Sequence, residues 1–158
     1  RSAVKFCKKH YQSEGLSFQH GDAQNLALKN ESFDVVLNVE SSHRYPDMLA
    51  FLNEVQRILR PGGRLLLTDF RFDYEMEEVK KQIKATGMKI EKELNINKQV
   101  LEALKLDDPR RRQLVKKLAP KFLHKVALNF AGTIGSETYR QIESGEYVYF
   151  SYVLKKEG

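Results

Sequence analysis

The 158-residue sequence has no tryptophan, one cysteine and no apolar run approaching the ~20 residues that a membrane-spanning helix requires. The single cysteine, Cys7, rules out an intramolecular disulfide and favours a reducing compartment, so we expect a cytoplasmic protein. A small half-buried side chain is a more frequent role for such a cysteine than a reactive thiol. No spacing of His, Cys, Asp and Glu is typical of a metal site, so we expect no bound metal.

Acidic residues are scarce between positions 105 and 125. This segment holds eight cations against Asp107 and Asp108, a net charge of +6, which equals that of the whole chain. Because the charge is so local, and because no aromatic residues alternate with the basic ones, we expect no nucleic-acid partner. Three interpretations remain open: a solvated helical face, a cap over a lipophilic substrate, or a peripheral contact with anionic membrane lipids.

Two apolar runs, Phe33–Val39 and Leu65–Asp69, predict buried parallel strands. Between them, apolar residues at spacings of three and four predict a helix that begins near Asp47 and stops at Pro61-Gly62-Gly63. Strand, helix and strand together predict a βαβ unit and an α/β fold. Ligands of such sheets bind beyond the carboxyl ends of the strands.

Three acidic residues follow or end predicted strands. Asp22 follows a short alternating strand at Leu16–His20, while Glu40 and Asp69 stand at the ends of the two apolar strands. We therefore expect these three carboxylates along one rim of the sheet.

The remaining pattern predicts further helices and one antiparallel strand pair. Asp108 and Pro109 suit the N-cap and first position of a helix, which separates two helical segments. The predicted helices cover residues 2–12, 75–86, 97–106, 109–119 and 121–130, and the predicted strands cover residues 88–96 and 147–155.

Five motifs stand in a fixed order along the chain. They are Gly21-Asp22-Ala23, Ser32-Phe33-Asp34-Val35-Val36, Val39-Glu40-Ser41-Ser42-His43, Leu59-Arg60-Pro61-Gly62-Gly63, and the tail around Gly132-Thr133, Ser144-Gly145-Glu146 and Val153-Leu154-Lys155. Together they resemble the class I S-adenosylmethionine-dependent methyltransferases, in the small-molecule group that includes phthiotriolone, sterol and tocopherol methyltransferases. The resemblance implies an incomplete Rossmann-like sheet with flanking helices and an antiparallel final strand.

The chain departs from that family at its start, because the first strand, its glycine-rich cofactor loop and the second strand have no counterpart. Residues 1–158 therefore resemble the C-terminal two-thirds of a methyltransferase domain, with residues 97–146 as a helical substrate-side insertion. The family strand order, 3-2-1-4-5-7-6, would leave Leu16–His20 without a neighbour. We expect this strand to pair directly with Phe33–Val39, to pair with another copy of the chain, or to be disordered.

The resemblance also implies a cofactor site for S-adenosyl-L-methionine, with S-adenosyl-L-homocysteine as product. Asp22 and Ala23 would offer adenine an acceptor and a backbone donor, and Gly21 would allow the tight turn. The end of the central strand would border the methionine part of the cofactor through Asn38, Val39 and Glu40. The alternatives are that Asp22 only caps a turn and that Glu40 only faces solvent.

Chemistry is expected from His43, because a neutral imidazole can accept a proton near physiological pH and related enzymes place a histidine here. Asp69 would orient substrate or support His43, or would be only a satisfied strand-end carboxylate. Tyr139 and Tyr147 would border the substrate mouth, although most tyrosines in such segments are packing residues.

The sequence thus predicts methyl transfer to a hydroxyl or carbon of a small, lipophilic molecule by the parent domain. The alternative is a catalytically inactive fragment that acts as a binding module and forms a homodimer through exposed strand edges.

Overall fold

The computed structural model describes residues 2–158, which form one four-stranded sheet with flanking helices. The strands are β1 Phe33–Val39, β2 Leu59–Phe72, β3 Lys89–Asn95 and β4 Tyr147–Lys155. The helices are α1 Ser2–His10, α2 Met48–Ile58, α3 Met76–Ala85, α4 Asn97–Leu118, α5 His124–Phe130 and α6 Glu137–Ser144. Short 3₁₀ turns occupy Ser42–Arg44, Asp73–Glu75 and Lys121–Leu123.

The strand order is β1-β2-β4-β3. β1 and β2 are parallel, with Val39 opposite Thr68, whereas β4 runs antiparallel to both of its neighbours. This arrangement confirms the α/β prediction, including the parallel pairing of the two apolar strands and the antiparallel final strand.

One face of the sheet carries the main core. Asp47 caps α2 by accepting a hydrogen bond from the Ala50 N–H at 2.9 Å, and α2 then turns an apolar stripe toward the sheet. The stripe packs with α3 against alternate residues of β2 and β4. The fully buried members of this core include Leu52, Val55, Leu59, Leu65, Leu67, Ile83, Phe150, Tyr152 and Leu154.

The opposite face is covered at one end only. Leu104 of α4 and Tyr139 and Ile142 of α6 form a smaller cluster against Tyr147 and Tyr149 of β4.

Farther along that face, Val35, Leu37 and Val39 of β1 remain 54%, 68% and 55% exposed. Among residues 2–158, β1 hydrogen-bonds to β2 alone, so its other edge is open.

A strand at residues 16–20 was predicted, and this prediction is wrong. Residues 16–20 belong to no strand, and β1 does not pair with them. An extended segment becomes a strand only when a neighbour takes up its backbone hydrogen bonds, and none does so among the described residues. Pairing with another copy of the chain stays a prediction.

The break predicted between two helices at Asp108 is also wrong, because α4 runs unbroken from Asn97 to Leu118 with Pro109 inside it. The Asp108 carboxylate is not an N-cap. It accepts hydrogen bonds from Arg112 Nε at 2.7 Å and from the Ile134 N–H at 2.8 Å. These bonds fasten α4 to the loop before α6, so tertiary contacts outweigh the local capping signal.

Two further boundaries differ from the prediction. β2 continues three residues beyond Asp69, because pairing with β4 extends it to Phe72. The Gly62-Gly63 turn lies within β2, where Gly62 has a φ of 79° and a Cβ on Gly63 would lie 2.9 Å from the Arg60 carbonyl oxygen. Helix α6 was not predicted as a separate element, although it falls within the predicted helical insertion at residues 97–146.

Among the described residues, no helix has the length and apolarity needed to cross a bilayer.

Candidate active site

The segment between β1 and α2 folds over the carboxyl ends of the parallel strands. Glu40 follows β1 with a φ of 45°, a left-handed conformation that is uncommon for residues other than glycine. Its N–H donates to the Thr68 carbonyl at 2.8 Å, which extends the parallel ladder by one bond. The 3₁₀ turn at Ser42–Arg44 then places Ser42 and His43 directly above β2.

Asp69 is the centre of this site, with none of its side chain exposed. Its carboxylate accepts hydrogen bonds from Ser42 Oγ at 2.5 Å, from the His43 N–H at 3.1 Å and from the Phe70 N–H at 2.9 Å. A fourth contact joins Asp69 Oδ1 to His43 Nδ1 at 2.8 Å. Such a set of donors fixes the carboxylate in one orientation.

Opposing effects act on the ionisation of Asp69. Burial alone would raise the pKa of its carboxyl group. The hydrogen bonds outweigh burial, and with the charge of Arg71 they hold the pKa of Asp69 below its ordinary value. Arg71 Nη1 lies 3.6 Å from the carboxylate, and Arg71 Nη2 donates to Ser42 Oγ at 3.0 Å. Asp69 is therefore an anion at neutral pH.

An ionised Asp69 selects the tautomer of His43. The carboxylate can only accept, so Nδ1 carries the proton and Nε2 carries the lone pair when the imidazole is neutral. Nε2 has no hydrogen-bond partner within residues 2–158, and the side chain is 18% exposed. The Phe70 ring, 4.5 Å away between centroids, supports the imidazole. The result is an oriented imidazole whose basic nitrogen remains available.

An aromatic wall continues from His43 along β2 and β4. The centroid of Phe70 lies 5.1 Å from that of Tyr149 and 5.4 Å from that of Tyr147. Burial raises the pKa of Tyr149 to about 12, and the negative charges of Glu40 and Asp69 add to this shift. Tyr149 is therefore a neutral phenol.

The two predicted substrate tyrosines take different positions. Tyr147 is half-buried against Phe70 and Phe72, at the edge of the aromatic wall. Burial, followed by the charge of Glu146, raises the pKa of Tyr147. Tyr139 lies inside the packing between α4 and α6 and is only 4% exposed.

The loop that carries Asp22 is fastened to the start of α2. The Gln24 N–H donates to Asp22 Oδ1 at 2.9 Å, and the Asp47 N–H donates to Gln24 Oε1 at 2.6 Å. Since α2 starts just after the carboxyl end of β1, Asp22 lies at the same end of the sheet as Glu40 and Asp69. Asp22 also caps its own turn, as the alternative interpretation held.

Unused hydrogen-bonding groups at this end suit a polar ligand such as a nucleoside. Within residues 2–158, Asp22 Oδ2 and the Ala23 N–H have no protein partner. Asn38 donates to the Tyr45 hydroxyl at 3.0 Å, but its buried Oδ1 has no partner there. Gly21 has neither a positive φ nor close neighbours, since an added Cβ would meet only Leu26 at 4.0 Å. Val39 is exposed on the open face of β1.

Sequence analysis missed Ser42 and Arg71, which complete the hydrogen bonds around Asp69. It also missed the pair Glu54 and Arg57, one turn apart on α2. Arg57 donates to the carbonyls of Leu26 and Leu28, while Glu54 accepts from the Leu26 N–H at 2.6 Å. The i,i+3 spacing of opposite charges was the available signal, but it does not reveal that both side chains hold a distant loop.

Known proteins share both the sequence and the fold. A methyltransferase-domain family profile matches residues 1–67. The phthiotriol/phenolphthiotriol dimycocerosates methyltransferase of Mycobacterium tuberculosis is 39% identical over 157 residues, which cover 99% of this chain and 58% of that protein. A fatty-acid O-methyltransferase of Mycolicibacterium smegmatis is 38% identical over 120 residues, covering 76% of this chain and 44% of that protein. The chain thus spans little more than half the length of the first relative.

Solved structures show the same architecture at low sequence identity. A putative sarcosine dimethylglycine methyltransferase from Galdieria sulphuraria superposes with a TM-score of 0.78 at 11% identity, covering 97% of this chain and 64% of that one. An O-methyltransferase from a Brevibacillus brevis multienzyme, in complex with S-adenosyl-L-homocysteine, superposes with a TM-score of 0.65 at 19% identity. The match covers 89% of this chain and 49% of that one. These structures share the fold with this chain. The family profile over residues 1–67 and the 39% identity to the mycobacterial enzyme support its assignment to the class I S-adenosylmethionine-dependent methyltransferases, of whose domain it forms a part.

Proposed function

We propose that this chain is the catalytic and substrate-side part of an enzyme that transfers a methyl group from S-adenosylmethionine to a hydroxyl or an acidic carbon of a lipophilic molecule. The observation that carries the proposal is the His43–Asp69 pair. A buried carboxylate fixes the imidazole at 2.8 Å and leaves Nε2 free at the carboxyl ends of the parallel strands. Oriented general bases of this kind accelerate proton removal by about 10²–10⁴-fold.

The acceptor class follows from the relatives and from the site. The names of the sequence relatives describe acceptors that are dimycocerosate lipids and a fatty acid. In this chain, Phe70, Tyr147 and Tyr149 border His43 with aromatic surface. Apolar surface beside one basic nitrogen suits a lipophilic acceptor with a single reactive polar group. The helices α4–α6 stand on the same side, which supports their interpretation as a substrate-side insertion.

The role of each group in the reaction follows from the geometry. Bound S-adenosylmethionine would supply an electrophilic methyl carbon on a sulfonium. His43 Nε2 would take the proton of the acceptor as the acceptor atom bonds to that carbon. The electron pair of the carbon–sulfur bond would remain on sulfur, and S-adenosylhomocysteine would be the product. Asp69 stabilises the imidazolium that forms, because its negative charge lies at Nδ1.

Cofactor recognition is assigned to the rim described above. Asp22 Oδ2 would accept from the adenine amino group, and the Ala23 N–H would donate to the ring, with Gly21 preceding them in the turn. Asn38, Val39 and Glu40 would border the methionine part, where the open Asn38 Oδ1 offers an acceptor. Glu40 would orient the sulfonium without neutralising it. A carboxylate that attracted the sulfonium of the reactant more strongly than the transition state would slow the transfer.

The test is substitution of His43 in a longer protein that includes the rest of the methyltransferase domain. His43→Gln should reduce kcat by about 10²–10⁴-fold. Binding of S-adenosylhomocysteine, measured by calorimetry, should stay within about twofold. His20→Gln, at an exposed histidine, is the matched control. Unchanged turnover in His43→Gln would reject the assignment of the base.

Cofactor binding is tested separately by titrating S-adenosylhomocysteine into the 158-residue chain and into the longer protein. Binding by the longer protein alone would show that the assigned rim needs the rest of the domain. No binding by either protein would reject the cofactor assignment.

A cytoplasmic location, which was inferred from the single Cys7, stays a prediction.

Self-association is a second candidate role, because β1 has an open edge and exposed Val35, Leu37 and Val39. A homodimer through this edge should be lost in a Leu37→Lys variant, as measured by analytical ultracentrifugation. A monomeric parent chain would rule this role out.

A further inference from the structure

A row of exposed apolar side chains runs along the helical segment after Pro120. Phe122, Val126 and Phe130 stand four residues apart, through the turn at 121–123 and helix α5, and are 82%, 66% and 82% exposed. Residues at this spacing share one helical face. Leu118, at the end of α4, is 74% exposed just before the turn. Large apolar side chains grouped in this way on a surface mark a site of interaction.

Lysines accompany this row. Lys116, Lys117, Lys121 and Lys125 have no ion-pair partner within residues 2–158, and with the four apolar residues they form what we call the α4–α5 surface. The acids of this region are already engaged, since Asp107 pairs with Arg110 and Arg111. The pairing with Arg110 is the main cause that lowers the pKa of Asp107 to about 2. The positive charge of the surface is therefore uncompensated.

A cavity of about 750 Å³ opens beside this surface, between α4, α5 and the start of α6. Its lining combines three cations with apolar side chains: Arg112, Lys125, Arg140, Val126, Leu128 and Ile134. Glu137 is the one acid among the lining residues. Arg112 is already paired with Asp108, with Nε 2.7 Å from Oδ2, so Lys125 and Arg140 carry the charge that has no ion-pair partner within residues 2–158. The Arg112 and Arg140 guanidiniums are held in place by the carbonyls of Ile134 and Gly135, each at 2.7 Å. Cations above apolar walls suit a phosphate headgroup attached to acyl chains.

We propose that the α4–α5 surface docks on a bilayer that contains anionic phospholipids. Phe122, Val126 and Phe130 enter the headgroup region, the lysines lie at the level of the phosphates, and the cavity receives one headgroup. A second copy of this chain fits less well, because a twofold interface through this surface would bring lysines against lysines. The proposal is independent of methyl transfer.

The experiment is cosedimentation of the 158-residue chain with vesicles. We expect binding to vesicles of phosphatidylcholine mixed with phosphatidylglycerol, weak binding to pure phosphatidylcholine, and loss of affinity as salt is raised. Each lysine near an anionic surface contributes about fivefold in affinity, so Lys121→Gln with Lys125→Gln should weaken binding about 25-fold. Phe122→Ser with Phe130→Ser should weaken it to a similar or greater extent.

Matched controls lie on other surfaces. Lys8→Gln with Lys9→Gln removes two exposed lysines from α1, and Tyr74→Ser removes an aromatic side chain that is 77% exposed. Both controls should bind like the parent chain. Circular dichroism checks folding, and the lysine variant carries the test alone if the phenylalanine variant unfolds.

Several results would overturn the proposal. The first is absence of binding to anionic vesicles, and the second is an equal loss of binding in the control variants. The third is binding by this chain that disappears when the rest of the domain is present. Self-association that the phenylalanine variant abolishes, without vesicle binding by the parent, would identify a second copy as the occupant.

Discussion

The two faces of the sheet differ in how completely they are covered. On the face toward α2 and α3, Leu52, Leu65 and Leu154 are fully buried. On the opposite face, α4 and α6 cover the first half of β4, while Leu37 on β1 is 68% exposed. The same strand contributes to both faces, since Val36 packs against the main core between exposed Val35 and Leu37.

The face that packs against α2 and α3 also carries the hydrogen-bonded site around Asp69. The opposite face leaves apolar side chains of β1 without cover among the described residues. The chain spans 58% of the length of its mycobacterial relative, so we expect the remainder of such a domain to cover this face. Truncation of a large apolar side chain should therefore lower the free energy of unfolding on the buried face and leave it nearly unchanged on the exposed face.

The largest expected effect sets Leu52→Ala against Leu37→Ala. Leu52 is fully buried, so its truncation should reduce the free energy of unfolding by about 2–5 kcal/mol. Leu37 is mostly exposed, so its truncation should change that free energy by about 0.5 kcal/mol or less. Urea denaturation followed by circular dichroism measures both. Equal losses would mean that the open face is covered in solution.

The next effect concerns Asp69, the buried anion on the sheet face that packs against α2 and α3. The Asp69 carboxylate accepts four hydrogen bonds. In Asp69→Asn, the amide NH₂ cannot accept, so donors that face it lose their partner, and the free energy of unfolding should fall by about 1–3 kcal/mol. Asp34→Asn is the matched control, because Asp34 makes an exposed ion pair with Arg60 that contributes about 1 kcal/mol or less. A cost for Asp34→Asn that equals that of Asp69→Asn would contradict the central role of Asp69.

A smaller effect is expected where α2 holds the loop of the cofactor rim. Arg57→Ala removes hydrogen bonds to Leu26, Leu28 and Asn30, so it should lower the free energy of unfolding by less than Asp69→Asn does. Hydrogen exchange at the Leu26 N–H should accelerate, whereas exchange in β2 should change little. The hydrogen bond from Arg57 is the main cause that lowers the pKa of Glu54 to about 2, so that pKa should rise toward its ordinary value. Arg64→Ala, at an exposed pair with Glu91, is the control.

The smallest effect is the pH dependence of the contribution that Asp69 makes to the free energy of unfolding. The folded pKa of Asp69 lies below its unfolded value, so the group stabilises the fold above the unfolded pKa. This contribution is lost as pH falls through the folded pKa. The free energy of unfolding is measured for the parent chain and for Asp69→Asn, at neutral pH and at pH values below 4. The parent chain should be more stable than the variant at neutral pH, and this difference should become smaller in acid. A constant difference would mean that the pKa of Asp69 is not lowered.

Local patterns predicted the elements that bury one clear apolar face. The stripe on α2 is one example. Another is β4, which is rich in tyrosine, valine and phenylalanine and was predicted at its observed bounds. Prediction failed where distant partners decide the outcome. Residues 16–20 alternate like a strand but have no neighbour among the described residues. Asp108 has the sequence of a cap, yet it bonds to Arg112 and Ile134 inside a continuous helix.

The candidate site shows the same division. Asp69 was singled out by its position at a strand end, and His43 by the chemistry of imidazole and by the resemblance to the family. Support of His43 was one of the roles considered for Asp69. Ser42 and Arg71 were not identified, because serine and arginine are common at surfaces and nothing local marks them as partners of a buried carboxylate.

The sequence by itself indicated the parallel βαβ core and the family, because both depend on motifs and apolar patterns within short stretches of chain. Only the tertiary structure decided the tautomer of His43, the ionisation of Asp69 and the exposure of β1. Those properties depend on groups far apart in sequence, such as positions 42, 69 and 71, whose hydrogen bonds exist only after the chain has folded.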